Sequence, residues 1–253
     1  MRPTTIKRCA DDMAWASGSV TRPLVAYDRS MSRYDGLAKE YADFLDAQAP
    51  YYARAEELLR RLLGPGVGRC VDLGCGTGRF LEVAADLGWD VTGVDVSADQ
   101  LRLARQAAPN AQLVEADASA VPLADASFDA GFSTFTHTDV DDFAGLVAEA
   151  RRLVRPGGRF VYVGNHPCFV GPVQEHTEAL PVLHPGYRRA GRWDAGTAPG
   201  STPGGWRARL GSYVHLPLGP FLNAFAGLTL VYADEADEER EYPTMVALAF
   251  DKP

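Results

Sequence analysis

The segment Val71-Asp72-Leu73-Gly74-Cys75-Gly76-Thr77-Gly78-Arg79-Phe80 most constrains what this chain can fold into. A short apolar run passes into three glycines spaced two apart and then into helical periodicity. Lacking a Cβ, Gly74, Gly76 and Gly78 let the backbone turn sharply and approach a ligand closely, and the helix start beyond them offers unpaired amide N–H groups. Such a strand, turn and helix open an α/β sheet whose ligand lies at the carboxyl end of the strand. The spacing departs from the dinucleotide fingerprint G-x-G-x-x-G, and the Asp72 carboxylate would face a diphosphate with like charge. A zwitterionic amino-acid tail on a cationic sulfonium is the better match. Taken alone, the loop also reads as an ordinary strand-to-helix turn.

The following residues narrow that choice. Asp90-Val91-Thr92-Gly93-Val94-Asp95-Val96 reads as a second buried strand ending in a carboxylate, at the distance where a βαβ unit places its ribose-binding acid. Asp95 is the predicted hydroxyl ligand. Ser97-Ala98-Asp99-Gln100 forms a capping box that opens a helix with apolar residues Leu101, Leu103, Ala104 and Ala107. A third strand, Gln112–Glu115, leads to Ala116-Asp117-Ala118, where Asp117 reads either as a ligand or as a turn cap. A fourth strand covers Ser127–Thr134, a helix runs from about Asp141 to Leu153, and Pro156-Gly157-Gly158 turns into a fifth strand over Arg159–Val163. An earlier helix is expected from about Arg54 to Leu63. The last two strands fall at Leu228–Tyr232 and Met245–Phe250, joined by an acidic turn that begins at Asp234.

In this order, over roughly Tyr34 to Phe250, these pieces resemble class I S-adenosylmethionine-dependent methyltransferases of the small-molecule type. Tyr34-Asp35-Gly36-Leu37-Ala38-Lys39-Glu40-Tyr41 is similar to their Y-D-x-x-A-x-x-Y opening, and Pro156-Gly157-Gly158 to their P-G-G turn. The resemblance implies a Rossmann-like α/β fold: a seven-stranded, mostly parallel sheet in the order 3-2-1-4-5-7-6, helices on both faces, and a Gly/Pro-rich substrate lid. It implies S-adenosyl-L-methionine as cofactor and S-adenosyl-L-homocysteine as product. Carried over position by position, the cofactor residues are Tyr34, Asp72, Gly74, Cys75, Gly76, Gly78, Asp95, Val96, Leu101, Asp117, Ala118 and Ser133. In the family the Tyr34 helix closes over the cofactor and the Asp117 position meets the adenine amino group; Tyr41 and Leu45 read more simply as a helix face packed on the core.

Composition bounds the remaining choices. A chain of 253 residues, 46% hydrophobic and 23% charged, suffices for one full α/β core. The expected organisation is an N-terminal arm over 1–33 and a single domain over 34–253, with the lid at about 164–210. A net charge of −8 gives no electrostatic footprint for nucleic acid, so a small molecule is the expected partner. Cys9, Cys70, Cys75 and Cys168 form no C-x-x-C pair and no zinc spacing, which fits reduced thiols and a cytoplasmic location. No apolar run is long enough to span a bilayer, and no secretion signal is visible. Only three of the 25 basic residues are Lys, a bias consistent with a GC-rich bacterial genome. Oligomeric state is not legible; a homodimer stays open, because such lids are in some cases completed by a neighbouring subunit.

Two histidines emerge near strand ends on the expected substrate side. Methyl transfer to a hydroxyl requires in-line approach and loss of a proton to a base, and imidazole suits that task. His137, with Asp139 or Asp141 to orient it, is the first candidate base and His166 the second; each also reads as a histidine that only hydrogen-bonds. From Gly164 to Trp206, fourteen of forty-three residues are Gly or Pro, which excludes a long helix. That stretch also carries Phe169, Tyr187, Trp193 and Trp206, able to wall a pocket for a ring-bearing acceptor or simply to cover the sheet edge. No metal is expected. The reading is methyl transfer to a hydroxyl of a specialised metabolite, with two alternatives: N-methylation of a small amine, or non-methylating chemistry (cyclisation, decarboxylation, pericyclic) on the same cofactor site.

Overall fold

The computed structural model describes residues 32–176, 180–202, 204–236 and 241–253. Cys9 and all of the expected N-terminal arm except Ser32 and Arg33 lie outside the described residues. Helices α1 (Ala38–Ala47) and α2 (Ala49–Leu63) lead into β1 (Arg69–Leu73), α3 (Arg79–Asp86), β2 (Asp90–Asp95), α4 (Ala98–Ala107), β3 (Gln112–Glu115), β4 (Phe128–Thr134), α5 (Phe143–Leu153) and β5 (Val154–Asn165). The lid region follows as β6 (Gln174–His176), β7 (Pro181–Leu183), β8 (Gly191–Asp194), α6 (Trp206–Leu210) and β9 (Ser212–His215). Helix α7 (Leu218–Asn223), β10 (Thr229–Ala236) and β11 (Met245–Asp251) close the domain.

Seven strands form one sheet in the order β3-β2-β1-β4-β5-β11-β10. The first five are parallel; β11 runs antiparallel to both β5 and β10. Counting core strands alone, this is 3-2-1-4-5-7-6, the expected methyltransferase order. Side chains alternate between two layers, as the twofold period of a strand requires. Cys70, Val161, Val163, Ala247 and Ala249 face a layer with Leu45, Tyr52, Leu58 and Leu81 from α1, α2 and α3. Val71, Leu73, Phe160, Tyr162, Val246 and Leu248 face Phe143, Leu146 and Phe221 from α5 and α7. The direction of winding reverses at β1, between β2 and β4, so the ligand crevice lies at the carboxyl ends of β1, β2 and β4.

Several boundaries differ from the sequence reading. Helix α2 begins at Ala49 rather than Arg54, because Pro50 sits in its first turn, where the missing N–H costs nothing. Tyr34 precedes α1 and lies in a turn. The P-G-G sequence lies inside β5: pairing with β4 jumps from Phe128↔Val154 to Ala130↔Arg159, and Gly157 takes φ +74°, making a bulge where a separating turn was expected. The acidic run is not all turn, since Asp234 and Glu235 belong to β10 and residues 237–240 lie outside the described set. Among its described residues the lid has no long helix; it carries the antiparallel pairs β6–β7 and β8–β9, with the five-residue α6 between the strands of the second pair.

Candidate active site

All three loop glycines adopt left-handed φ, at +83°, +53° and +89° for Gly74, Gly76 and Gly78. At Gly78 a Cβ would lie 2.8 Å from the Ala104 Cα, so glycine is what lets α3 start against α4. Above Gly76 the space is open: the nearest atom to a Cβ there is the Gln100 Oε1 at 3.8 Å.

Beside this opening the protein leaves electrostatic needs unmet. Asp72 is wholly buried on the face shared with Cys70, and neither carboxylate oxygen has a partner among the described residues. Burial, and then the charge of Asp95, push its carboxyl well above the usual carboxylate range. Gln100 Oε1 is likewise buried and unpartnered. The Asp95 carboxylate accepts backbone N–H bonds from Gly76 at 2.8 Å and Ser97 at 2.9 Å, which partly offset the upward push of its burial. What the site lacks is a cation and hydroxyl donors. A sulfonium nucleoside with an ammonium tail supplies both, so the residues fit S-adenosylmethionine.

The other carried-over positions separate into groups. Val96 is an exposed apolar side chain beside Asp95, and Leu101 packs partly buried on the α1–α3 layer. Cys75 turns its sulfur under the loop toward Gly93 and is buried, leaving only its backbone toward the crevice. Asp117 is exposed and accepts from the Ser119 N–H and Oγ at 2.8 Å, capping a turn, with Ala118 buried behind it. Ser133 is fully buried; its hydroxyl donates to the Leu73 carbonyl at 2.7 Å and shares a 2.8 Å bond with Thr136, so its side chain ties β4 to β1.

The histidines are placed differently from the expectation. His137 lies in a 3₁₀ turn, Thr136–Thr138, but its ring enters the α5–α7 layer among Phe143, Tyr162 and Phe221, on the sheet face opposite Asp72. Its Nδ1 lies 2.5 Å from the Tyr162 hydroxyl, and burial lowers its pKa to about 3. Neither expected orienting group touches it: Asp139 pairs with Arg207 and Asp141 with Arg192. In His166, Nδ1 accepts from the Cys168 N–H, so Nε2 carries the proton and donates to Glu235 at 2.6 Å. With its basic lone pair already used, His166 fastens the lid to β10. His215, buried, binds the Tyr187 carbonyl at 2.7 Å.

The group that gathers the crevice is Asp139, read from sequence only as an orienter of His137. Arg207 of α6 grips it in two bonds of 2.5 and 3.0 Å, the Tyr34 hydroxyl donates to it at 3.0 Å, and Arg33 binds its carbonyl and carboxylate. The two guanidiniums hold its pKa down to about 2 against burial. The turn 32–37 is also tied to the cofactor side: Ser97 Oγ donates to Asp35 at 2.6 Å, and the Gly36 N–H donates to Asp99 at 2.7 Å. Over it, Tyr34, Tyr41, Phe44 and Trp206 pack ring on ring. Phe135, at the end of β4, is held at φ +55°, an unusual conformation for a bulky residue, among Tyr51, Tyr52 and Phe80. No local sequence pattern links Arg33, Asp139 and Arg207, which lie far apart in the chain.

A groove of about 700 Å³ opens among α1, α2, α3 and α4 beside Thr77 of the glycine loop; its lining does not include Asp72 or Asp95, and Arg79 there pairs with Glu56. No described helix is long and apolar enough to cross a membrane.

Fold and loop together define an enzyme that holds a nucleoside cofactor at the carboxyl edge of a doubly wound sheet. Residues 71–162 match the family model described as a methyltransferase domain. The chain is 34% identical over 173 residues to demethylmenaquinone methyltransferase of Renibacterium salmoninarum, covering 61% of this chain and 73% of that protein. It is 36% identical over 118 residues to malonyl-[acyl-carrier protein] O-methyltransferase of Enterobacter lignolyticus, covering 44% of this chain and 47% of the relative. The crystal structure of an S-adenosylmethionine-dependent methyltransferase from Mesorhizobium loti superposes with a TM-score of 0.63 at 26% identity, covering 78% of this chain and 96% of that one. The chain belongs to the class I S-adenosylmethionine-dependent methyltransferases.

Proposed function

We propose that this enzyme methylates an oxygen of a small, ring-bearing acceptor held between the lid and the glycine loop. The observation that carries the cofactor half is Asp72, a buried carboxylate with no partner beneath an open glycine turn. Gly74, Gly76, Gly78 and the Cys75 backbone would cradle the amino-acid tail, Asp72 and Gln100 would meet its charge and donors, and Asp95 would take the ribose hydroxyls. Val96, Leu101, Asp117 and Ala118 are assigned to the adenine side, and Tyr34 to closure over the cofactor. S-adenosylmethionine would supply a sulfonium-activated methyl group; its carbon would pass to the acceptor oxygen as the carbon–sulfur bond breaks, with S-adenosylhomocysteine as leaving group and any hydroxyl proton passing to water.

On the acceptor side, the wall of Tyr34, Tyr41, Phe44 and Trp206 favours a flat ring. The base assignment changes. A histidine with a pKa near 3 is a poor proton acceptor at neutral pH, and His166 has no free lone pair, so His137 acts by holding the end of β4 in place. An acceptor oxygen that is acidic, or already ionised, needs no such base. One relative is an O-methyltransferase, which agrees with oxygen as the acceptor atom. A specialised metabolite is the reading we favour, supported by the aromatic lid.

The test is incubation with S-adenosylmethionine and a panel of phenols, aromatic acids, alcohols and amines. Release of S-adenosylhomocysteine together with an acceptor one methyl heavier on oxygen is expected; cofactor turnover with an amine alone would overturn the oxygen assignment. His137 also makes a stability prediction. Its folded pKa lies below the ordinary 6.5, so the stability gained by keeping it neutral is present above that value and is lost as pH falls toward 3. Replacing His137 with Gln is therefore expected to flatten the loss of melting temperature across that window. A wild-type rate limb near pH 6.5 that vanishes in the same variant would restore His137 as the base.

A further inference from the structure

Resting on the reading just given, we infer that the Trp206 indole N–H, with the guanidiniums of Arg33 and Arg207, receives an anionic oxygen of the acceptor. The substrate class is then a small aromatic acid or acidic phenol, and neutral alcohols and amines are excluded.

Trp206 is only 9% exposed, and its Nε1 has no partner among the described residues. A buried donor without an acceptor is costly, and tryptophan in such a position ordinarily finds one. Three rings pack against it: Tyr41 and Phe44 stack with centroids at 5.0 and 5.7 Å, and Tyr34 lies at 6.0 Å. The aromatic neighbours pack the ring, and its N–H edge meets no acceptor among the described residues. The next residue, Arg207, meets Arg33 at the single carboxylate of Asp139, so two cations share one anion. Burial keeps the neighbouring phenols of Tyr34, Tyr41 and Tyr52 in their neutral form, and the nearby Arg192–Asp141 pair is balanced. In that partly desolvated contact two guanidinium charges face the one carboxylate of Asp139, while Asp35 of the same turn accepts from the Ser32 N–H and Ser97 Oγ. An anionic oxygen would satisfy the orphan N–H and face those guanidiniums at once.

The cofactor tail also has a carboxylate, but two observations assign this site to the acceptor. Trp206 opens α6 in the lid, away in the chain from the glycine loop and from β2, which carry the cofactor residues. The loop side presents Asp72 and Asp95, whose unmet need is for positive charge and which would repel an anion.

The test uses ¹⁵N-labelled protein loaded with S-adenosylhomocysteine, with benzoate as probe and benzyl alcohol and benzylamine as controls. The Trp206 indole resonance is identified by its loss in Trp206→Phe, which keeps the ring stack and removes only the N–H. Benzoate is expected to shift that resonance and to bind roughly fivefold to tenfold more weakly to Trp206→Phe, with S-adenosylhomocysteine affinity unchanged. The two controls should leave the resonance in place. The inference is overturned if benzoate leaves the wild-type resonance unmoved, if benzyl alcohol moves it equally, or if Trp206→Phe weakens S-adenosylhomocysteine itself. Failure of wild-type protein to bind S-adenosylhomocysteine would instead remove the cofactor reading beneath it. The wild-type spectrum keeps the test decisive even if the variant folds poorly.

Discussion

Asp72→Asn is expected to leave the ligand-free enzyme as stable as the wild type, or more stable, while S-adenosylhomocysteine binding falls by about 100-fold, roughly 2–3 kcal/mol. Opposite signs for the two effects follow from the same geometry. With both carboxylate oxygens buried and unpartnered, ionisation of Asp72 costs free energy until a cation arrives. Its folded pKa lies above the unfolded value, so its stabilising contribution is complete below the ordinary carboxylate range and is lost as pH rises through the raised value. Melting of the ligand-free enzyme from pH 4 upward should therefore decline less in Asp72→Asn than in wild type, and S-adenosylhomocysteine should restore the wild type preferentially. Equal affinity of the two proteins for the ligand would show that Asp72 does not meet its charge.

Asp139→Ala is expected to cost about 3–5 kcal/mol, because it leaves the Arg33 and Arg207 guanidiniums without their shared carboxylate in a largely buried setting. The loss should be local as well as global. Hydrogen exchange is expected to rise most in the turn 32–37 and in α6 and β9, which that carboxylate joins through Arg33, Tyr34 and Arg207. Asp139→Asn, which keeps an acceptor oxygen but removes the charge, should fall between the two. Unchanged exchange in both segments would remove Asp139 from its joining role.

The scaffold was legible because its signals are local. Three glycines at the end of an apolar run, a capping box at Ser97–Gln100 and a carboxylate closing the second strand each act over a few residues, and Ser97 does cap α4 through the Gln100 N–H. The acceptor side was not legible in this way. His137 stands where a strand end meets a loop, but whether its ring turns toward the crevice or into the opposite layer is decided by Phe143, Tyr162 and Phe221, contributed by three other elements. The meeting of Arg33, Asp139 and Arg207 depends on how the lid folds back, and no periodicity encodes it. The P-G-G sequence signals a break in regular structure, but the β4 register decides whether that break is a turn or a bulge.

The position of Asp139 bears on how such an enzyme changes its substrate over evolutionary time. The residues assigned to the cofactor lie almost entirely between 72 and 118, and the lid lies beyond 164, so lids can be exchanged among relatives without disturbing the cofactor cradle. Asp139 lies between those two stretches, and Arg207 of the lid grips it in two bonds: a transplanted lid that lacks an arginine at that position would leave Asp139 with Arg33 as its remaining guanidinium partner. Functional chimaeras are therefore expected to retain that arginine, whatever else of the lid is replaced.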